Sequence, residues 1–470
     1  MGETLASALA AIVGREHVSD RFVDRLCYSR DCGPDKAGVP AVVVRPASTE
    51  EVVEVVKFAN ANRHRIFTRG RATTFLGSGV KDGVILLETT RMNHVETVDL
   101  QAGYVVAQCG AIWHGIDADL KRRGYELAVP GGGGLFSCTI GGTVAVNAIP
   151  HGATEYGMTG DHVLALEVVL PKGDVVRTGS WSNPASEPIE RNANAADLAG
   201  LFIGSYGIFG IITRVVYRVR RVPEVEAFRF YAFDDHRDAI DAAGGIQARG
   251  AATFVVGLFG GPKPTGEEGD AFLHVVVRDR VSAAEARVRE AEAICESHRG
   301  RPRPAEGTRH YWQDHMYSWL RNTGPSSYYS DRPFFCPEVA GFVSTDGLKT
   351  AVELFRTMKK DRESDFETYG IRVKGVDAYF ARNGAYLWID TLYDERRDDA
   401  WTYGLKLRAE MAERMFTEGR MSPGGLGAGI APHIMPKLGP AGELLRSMKR
   451  TLDPNGILNP GLLIEEERAR

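Results

Sequence analysis

Two glycine-rich stretches constrain this chain more than anything else in it: RGRATTFLGSG, Arg69–Gly79, and PGGGGLFSCTIGGTVAVN, Pro130–Asn147. Each follows a short apolar stretch that reads as a strand, Arg65–Thr68 before the first and Leu127–Val129 before the second. Glycine takes left-handed backbone angles at no steric cost and leaves its peptide N–H uncovered; Gly70, Gly77, Gly79, Gly141 and Gly142 are expected to do so here. Successive bared amides make a concave anion site, and Thr73, Thr74, Ser137 and Thr139 add hydroxyl donors. Glycine and serine also fill ordinary turns, so neither stretch alone is specific. Two in succession, each at a strand end, suit one long ligand with two phosphates and an aromatic end.

Neither a Walker sequence nor a strand–GxGxxG–helix fingerprint is present, which argues against P-loop and Rossmann folds. The two stretches instead resemble the flavin-binding domain of the vanillyl-alcohol oxidase / p-cresol methylhydroxylase superfamily. That family shows a loop like RGGGTxxxG, a segment like TIGGxxAxNA and a YG pair before two strands. Here these stand at Arg69–Gly77, Thr139–Ala148 and Tyr156–Gly157, followed by GSYGIFGIIT at Gly204–Thr213 and DPNGILNPG at Asp453–Gly461. The resemblance covers roughly residues 36–220 and 420–464. It implies an α+β chain: a helical segment (1–35), a two-part FAD-binding domain (36–222), an antiparallel-sheet cap with flanking helices (223–418) and a C-terminal segment (419–470) returning to the FAD domain. It further implies FAD contacts from Arg69, Gly70, Arg71, Ala72, Thr73, Thr74 and Gly77 in the first loop. Pro130, Ser137, Thr139, Gly141, Gly142 and Asn147 belong to the second, and Tyr156, Gly157, Gly207, Gly210, Ile211 and Asn459 to the later blocks, with Asn459 near the isoalloxazine. Arg71 stands where a flavin-linking histidine would be, and Cys138 lacks the spacing of cysteinyl-flavin members, so non-covalent FAD is expected; a histidyl link through His433 is the alternative.

The chain departs from the glycolate- and lactate-type members of that superfamily. Their cap motif HxGDGNxH has as its counterpart YFARNGAYLWIDTLYDE, Tyr379–Glu395, read as one strand and devoid of histidine. Their GEHGIG block is GGLGAG here, Gly424–Gly429, so Gly425 and Leu426 replace the metal ligand and the base. No metal is expected.

The cap is rich in aromatic residues instead, notably in His310–Phe335. Large aromatics dominate cores, which is the plain reading of Trp312, Trp319, Phe334 and Phe335. The sharper reading is an aromatic substrate pocket with few placed polar groups. Tyr328, Tyr329, Tyr386, Tyr393, Arg321 and Arg332 are then candidates, by residue type, to hold a phenolate. Tyr386, Trp388 and Asp390 share a strand face, directed either into the pocket or to solvent. His433, in APHIMPK, is the leading candidate base, histidine being the residue type suited to proton transfer near neutrality. The expected reaction takes hydride from a small aromatic or phenolic alcohol. The alternatives are metal-independent oxidation of a 2-hydroxy acid held by Arg321, Arg332 or Arg372, a non-redox flavoprotein like the superfamily's ether-lipid synthase, and a flavin subunit that needs a partner protein. Oxygen or an electron-acceptor protein would take the electrons.

Bulk properties narrow the setting. The 470 residues exceed what one core serves, so two or three domains are expected. A net charge of −4 offers no field for nucleic acid or an anionic membrane. No stretch reaches the ~18 apolar residues of a membrane span. The opening MGETLASALAAIVGREH carries Glu3 and no basic flank, so it reads as an amphipathic helix and not a leader. Cys27, Cys32, Cys109, Cys138, Cys295 and Cys336 fit no zinc or iron–sulfur spacing and read as reduced thiols, hence a cytoplasmic location. Homo-oligomerisation is left open.

Overall fold

The computed structural model describes residues 4–31, 33, 38–74, 77, 79–129, 137–194, 196–261, 269–317, 334–335, 338–394, 396–424 and 427–464. Pro130, Arg321, Arg332, Tyr328 and Tyr329 lie outside them, as do Gly425 and Leu426.

The first sheet takes four strands, β1 (Val18–Ser19), β2 (Val42–Val44), β3 (Ile66–Arg69) and β4 (Ile85–Glu88), in the order β1-β2-β4-β3. β4 lies parallel to both β2 and β3, which requires crossovers. The helix Thr49–Asn62 supplies the crossover after β2. Ser48 caps it by accepting from the Glu51 amide at 3.2 Å, and its Val52, Val55, Val56 and Ala59 are buried on one face. The second sheet is antiparallel and joins β5 (Val95–Asp99), β6 (Tyr104–Gln108), β7 (Tyr125–Leu127), β8 (Val163–Val169), β9 (Val175–Arg177) and β10 (Ile211–Arg221). β10 sits at its centre and pairs with β6, β7 and β8.

The third sheet is also antiparallel and has nine strands among the described residues. They are β11 (Val225–Phe233), β12 (Phe254–Phe259), β13 (Ala271–Asp279), β14 (Arg301–Arg303), β15 (Phe334–Phe335), β16 (Glu338–Val343), β17 (Arg372–Phe380), β18 (Ala385–Asp394) and β19 (Ser422–Pro423). The chain is therefore α+β. The stretch Tyr379–Glu395, expected as one strand, spans the turn of a hairpin: β17 ends at Phe380 and Gly384, at φ 89°, turns the chain into β18.

Alternation along these strands gives the third sheet two different faces. Leu387, Ile389 and Tyr393 turn to the helices His236–Arg249, Val281–Ser297, Thr345–Asp361 and Asp398–Thr417 and share their core. Phe228, Phe254, Val256, Tyr379, Tyr386 and Trp388 turn the other way, into the same apolar core as Val105, Trp113 and Ile140 of the first half. Tyr386 and Trp388 thus face the amino-terminal half and not solvent.

Polar ties cross the same boundary. Arg278 of β13 grips both oxygens of Glu126 of β7, at 3.1 and 3.0 Å, with the two side chains 5% and 3% exposed. Thr154 donates to the Phe380 carbonyl at 2.6 Å and accepts from the Val255 amide at 2.9 Å, so one hydroxyl pins β12 and β17 together. Glu155 accepts from Thr253 and Arg287.

Candidate functional site

The two glycine-rich stretches meet. A β-carbon on Gly70 would lie 2.5 Å from the Thr139 hydroxyl, so the first loop crosses the second with no room for a side chain. Gly77 and Gly79 adopt the left-handed angles expected of them, φ 79° and 59°. Gly70, Gly141 and Gly142 do not, and the expectation is corrected there. Gly141 and Gly142 lie in the helix Ile140–Ala145, whose cap Thr139 accepts from the Gly142 amide at 3.2 Å. Gly141 is glycine for space, since a β-carbon would sit 2.5 Å from Cys109 Cβ and 2.9 Å from its carbonyl oxygen. Gly210 is likewise crowded, by Val168 at 2.5 Å, where β10 begins at the buried Ile211.

Four non-glycine residues take left-handed angles in these same segments: Ala72 (53°), Asn147 (47°), Tyr206 (55°) and Asn459 (44°). Such angles persist only where their surroundings over-determine them, and they concentrate at ligand clamps. Asn147 accepts from the Gly160 amide at 2.8 Å. Asn459 accepts from the Thr68 amide at 2.8 Å and donates to the Tyr206 carbonyl at 3.0 Å, while its own amide donates to Ile66. The C-terminal segment is thereby stitched to β3, and Gly207, at φ 72°, leaves the space that the Asn459 amide fills. Gly157, at φ 83°, faces Asp161 with no space for a β-carbon, and the Tyr156 ring lies under the Arg220 guanidinium at 3.7 Å.

The remaining first-loop residues differ in what they offer. Arg69 sends its guanidinium to the carbonyls of Tyr28 and Arg30, at 2.7 and 2.8 Å, bracing the amino-terminal segment. Thr73, Thr74 and Ser137 are half-buried and Arg71 is exposed. The Thr68 hydroxyl, just before the loop, is buried with no hydrogen-bond partner among the described residues. An orphaned donor, exposed Gly142 at the start of a helix and a crossing that admits no side chain all fit a dinucleotide laid across the two loops.

The cap side of the site is set by strand register. Phe230, His274, Val256, Tyr379, Tyr386 and Phe342 stand opposite one another on β11, β13, β12, β17, β18 and β16 and form one band across the sheet. Tyr386 is packed by Phe342 and by Gly424, where a β-carbon would meet its ring at 2.3 Å. The helix that follows Gly424 reaches the first loop, its Ala428 amide donating to the Gly77 carbonyl at 3.0 Å. Asp390 is buried on β18 beside a bulge in β17. His433 is not brought to these residues: Ile430, Ala431 and Ile434 turn inward on its helix, which leaves His433 exposed on the opposite side.

Two buried histidines that sequence reasoning missed stand here. His151 is fully buried, its Nε2 3.4 Å from the Tyr379 hydroxyl and its ring among Phe254, Trp312 and Tyr379. Its one signal in the sequence is its place between the expected flavin segments Thr139–Ala148 and Tyr156–Gly157. His274 is stacked between Phe230 and Tyr311 and bonded to Thr308 at 3.0 Å. Burial lowers its imidazole to about 3. Among the described residues, no group of three or more His, Cys, Asp or Glu is arranged to hold a metal ion.

The chain matches the FAD binding domain family over residues 40–179 and the C-terminal domain of FAD linked oxidases over 425–463. It carries an FAD-binding domain and the C-terminal domain of FAD linked oxidases. D-lactate dehydrogenase of Anaerostipes hadrus is 33% identical over 202 residues, 43% of this chain and 41% of that protein. The mitochondrial D-lactate dehydrogenase [cytochrome] of Arabidopsis thaliana is 25% identical over 450 residues, 91% of this chain and 74% of that protein. The match to the bacterial relative thus spans less than half of its length. The structure of 4-ethylphenol oxidase from Gulosibacter chungangensis superposes with a TM-score of 0.79 at 18% identity, covering 97% of this chain and 95% of that one, which shows a shared fold. No helix among the described residues of this flavoprotein is long and apolar enough to cross a membrane.

Proposed function

We propose that this flavoprotein oxidises a small aromatic or phenolic alcohol. The reading is carried by the cap band that faces the flavin half, where Phe254, Trp312, Tyr379, Tyr386 and Trp388 are all buried together. Bound FAD supplies a two-electron hydride acceptor. The protein's contribution is to hold the substrate, exclude water and take its proton. Aromatic walls bury a planar ring and orient it by edge-to-face contact, as Tyr379 and Trp388 already do with each other at 4.2 Å and 67°. Tyr386 and Asp390 offer polar groups on the same strand. Binding of FAD by the two glycine-rich segments without a covalent bond, and reoxidation by oxygen or an acceptor protein, belong to the same proposal.

A second reading is oxidation of a 2-hydroxy acid, favoured by the D-lactate dehydrogenases among the relatives. Its carboxylate would need an arginine; Arg372, at the start of β17, is exposed, and Arg321 and Arg332 fall outside the described residues. Anaerobic bleaching of the flavin decides between the two. Bleaching by 4-hydroxybenzyl alcohol and not by D-lactate is the expected result, and bleaching by D-lactate alone would overturn the first reading.

A further inference from the structure

We propose that Tyr379 and His151 form a proton relay for the alcohol being oxidised, with Tyr379 touching the substrate hydroxyl and His151 acting through it. The inference rests on the oxidation reading, though not on which alcohol is the substrate. Hydride loss from a carbinol carbon yields a carbonyl only if the hydroxyl proton also leaves. A neutral phenol is a weak proton acceptor by itself, because it already carries its proton and an ordinary tyrosine gives that proton up only near pH 10. An imidazole behind it removes that obstacle. The Tyr379 hydroxyl lies 3.4 Å from His151 Nε2, with the two residues 2% and 0% exposed.

The two residues come from different halves of the molecule, and their meeting is enforced. His151 follows the second glycine-rich segment, whereas Tyr379 stands on β17 of the cap. Three residues beyond His151, Thr154 donates to the carbonyl of Phe380, the neighbour of Tyr379. That bond fixes the two backbones relative to each other, and Phe254 and Trp312 hold the imidazole edge-on. Pre-set geometry of this kind is what general acid–base catalysis needs.

The step balances. The substrate O–H bond breaks as its proton passes to Tyr379 Oη, the Tyr379 proton passes to His151 Nε2, and the C=O bond forms. The carbinol C–H bond breaks, and FAD, when bound, would be the oxidant that takes the hydride with both its electrons.

The test compares Tyr379→Phe and His151→Gln with the wild type in anaerobic flavin reduction by whichever alcohol bleaches the wild type. Both variants should be slowed about 10²-fold, the lower range for a lost acid–base group. Phenol, which has no carbon to oxidise, serves as a binding probe through quenching of tryptophan fluorescence. Its dissociation constant should stay within about twofold in Tyr379→Phe, with flavin absorbance and thermal midpoint unchanged, because the lost group acts on the reacting proton and not on uniform binding. A Tyr379→Phe variant reduced at the wild-type rate would overturn the relay alone. Parallel loss of rate and phenol binding would also overturn it, in favour of a packing role. A wild type bleached by no alcohol would overturn the oxidation reading and the relay together.

Discussion

Neighbouring glycines in the helix Ile140–Ala145 are expected to respond in opposite ways to the same added methyl. Gly141 is buried against β6, its amide donating to the Cys109 carbonyl at 2.9 Å. A β-carbon there meets Cys109 Cβ at 2.5 Å, the carbonyl oxygen at 2.9 Å and Cα at 3.0 Å, so backbone must move and the tethering hydrogen bond must lengthen. Overpacking of this kind costs about 1–3 kcal/mol, and contacts this short against backbone put it at the upper end. Replacing glycine by alanine in a helix returns about 1 kcal/mol. The net loss for Gly141→Ala is therefore about 2 kcal/mol, or a midpoint lowered by about 4–8 °C in a cooperative unit of this size. Gly142 is exposed and its β-carbon would meet only the Thr139 hydroxyl, at 3.0 Å. Gly142→Ala should hold or slightly raise the midpoint while weakening FAD about tenfold or more, since the methyl occupies the surface the cofactor approaches, a change of about 1.4 kcal/mol. Differential scanning fluorimetry of the FAD-free protein reads the first quantity and flavin titration the second. A Gly141→Ala variant that melts with the wild type, or a Gly142→Ala variant that binds FAD undiminished, would refute the packing argument or the cradle respectively.

Arg278→Met leaves Glu126 with Arg220 alone and strips Glu226 of its 2.7 Å partner; about 3 kcal/mol is expected from breaking this buried set, read as a lowered midpoint and earlier proteolysis between the two halves. The Arg278 and Arg220 guanidiniums outweigh burial and hold the Glu126 carboxyl below its usual range, so its stabilisation is present above the ordinary glutamate value and lost as pH falls through the depressed one. His274 adds a second acid-sensitive term. With its folded value near 3 against an unfolded 6.5, the unfolded chain binds the extra proton, and stability falls as pH drops from 6.5 towards 3. His274→Phe keeps the stack on Phe230 and Tyr311 and should flatten that limb of a pH–midpoint curve; an unchanged slope would assign it to other groups.

Local rules carried the sequence reading a long way. Ser48 three residues before Glu51 and valines at helical spacing behind them are local signals that suffice to mark the helix Thr49–Asn62 and its buried face. The glycine-rich segments were legible as loops at strand ends, but the reason for each glycine was not. Left-handed angles fell to Ala72, Asn147, Tyr206 and Asn459, whose strain depends on partners such as Gly160 and Thr68 far along the chain. The cap band was illegible for a related reason. Only the register of six strands aligns His274, Tyr379 and Tyr386, and no pattern local to any of them encodes it. His433 is the converse case, a histidine of suitable chemistry that the helical period leaves exposed.

The C-terminal segment gives the molecule an order of assembly. β3 is the outer strand of the first sheet, and its free side is covered by Ile457, Leu458 and Asn459, through Ile66 and a bond from the Thr68 amide that spans 391 residues. During synthesis that strand emerges long before its cover, and an uncovered edge strand is a template for pairing with other chains. Asp453 readies the cover as soon as it appears, accepting from the amides of Ile457 and Leu458 at 2.9 Å each. The half of the protein that is made first is thus the last to be closed, and its junction with Asn459 is completed only after the third sheet has been translated.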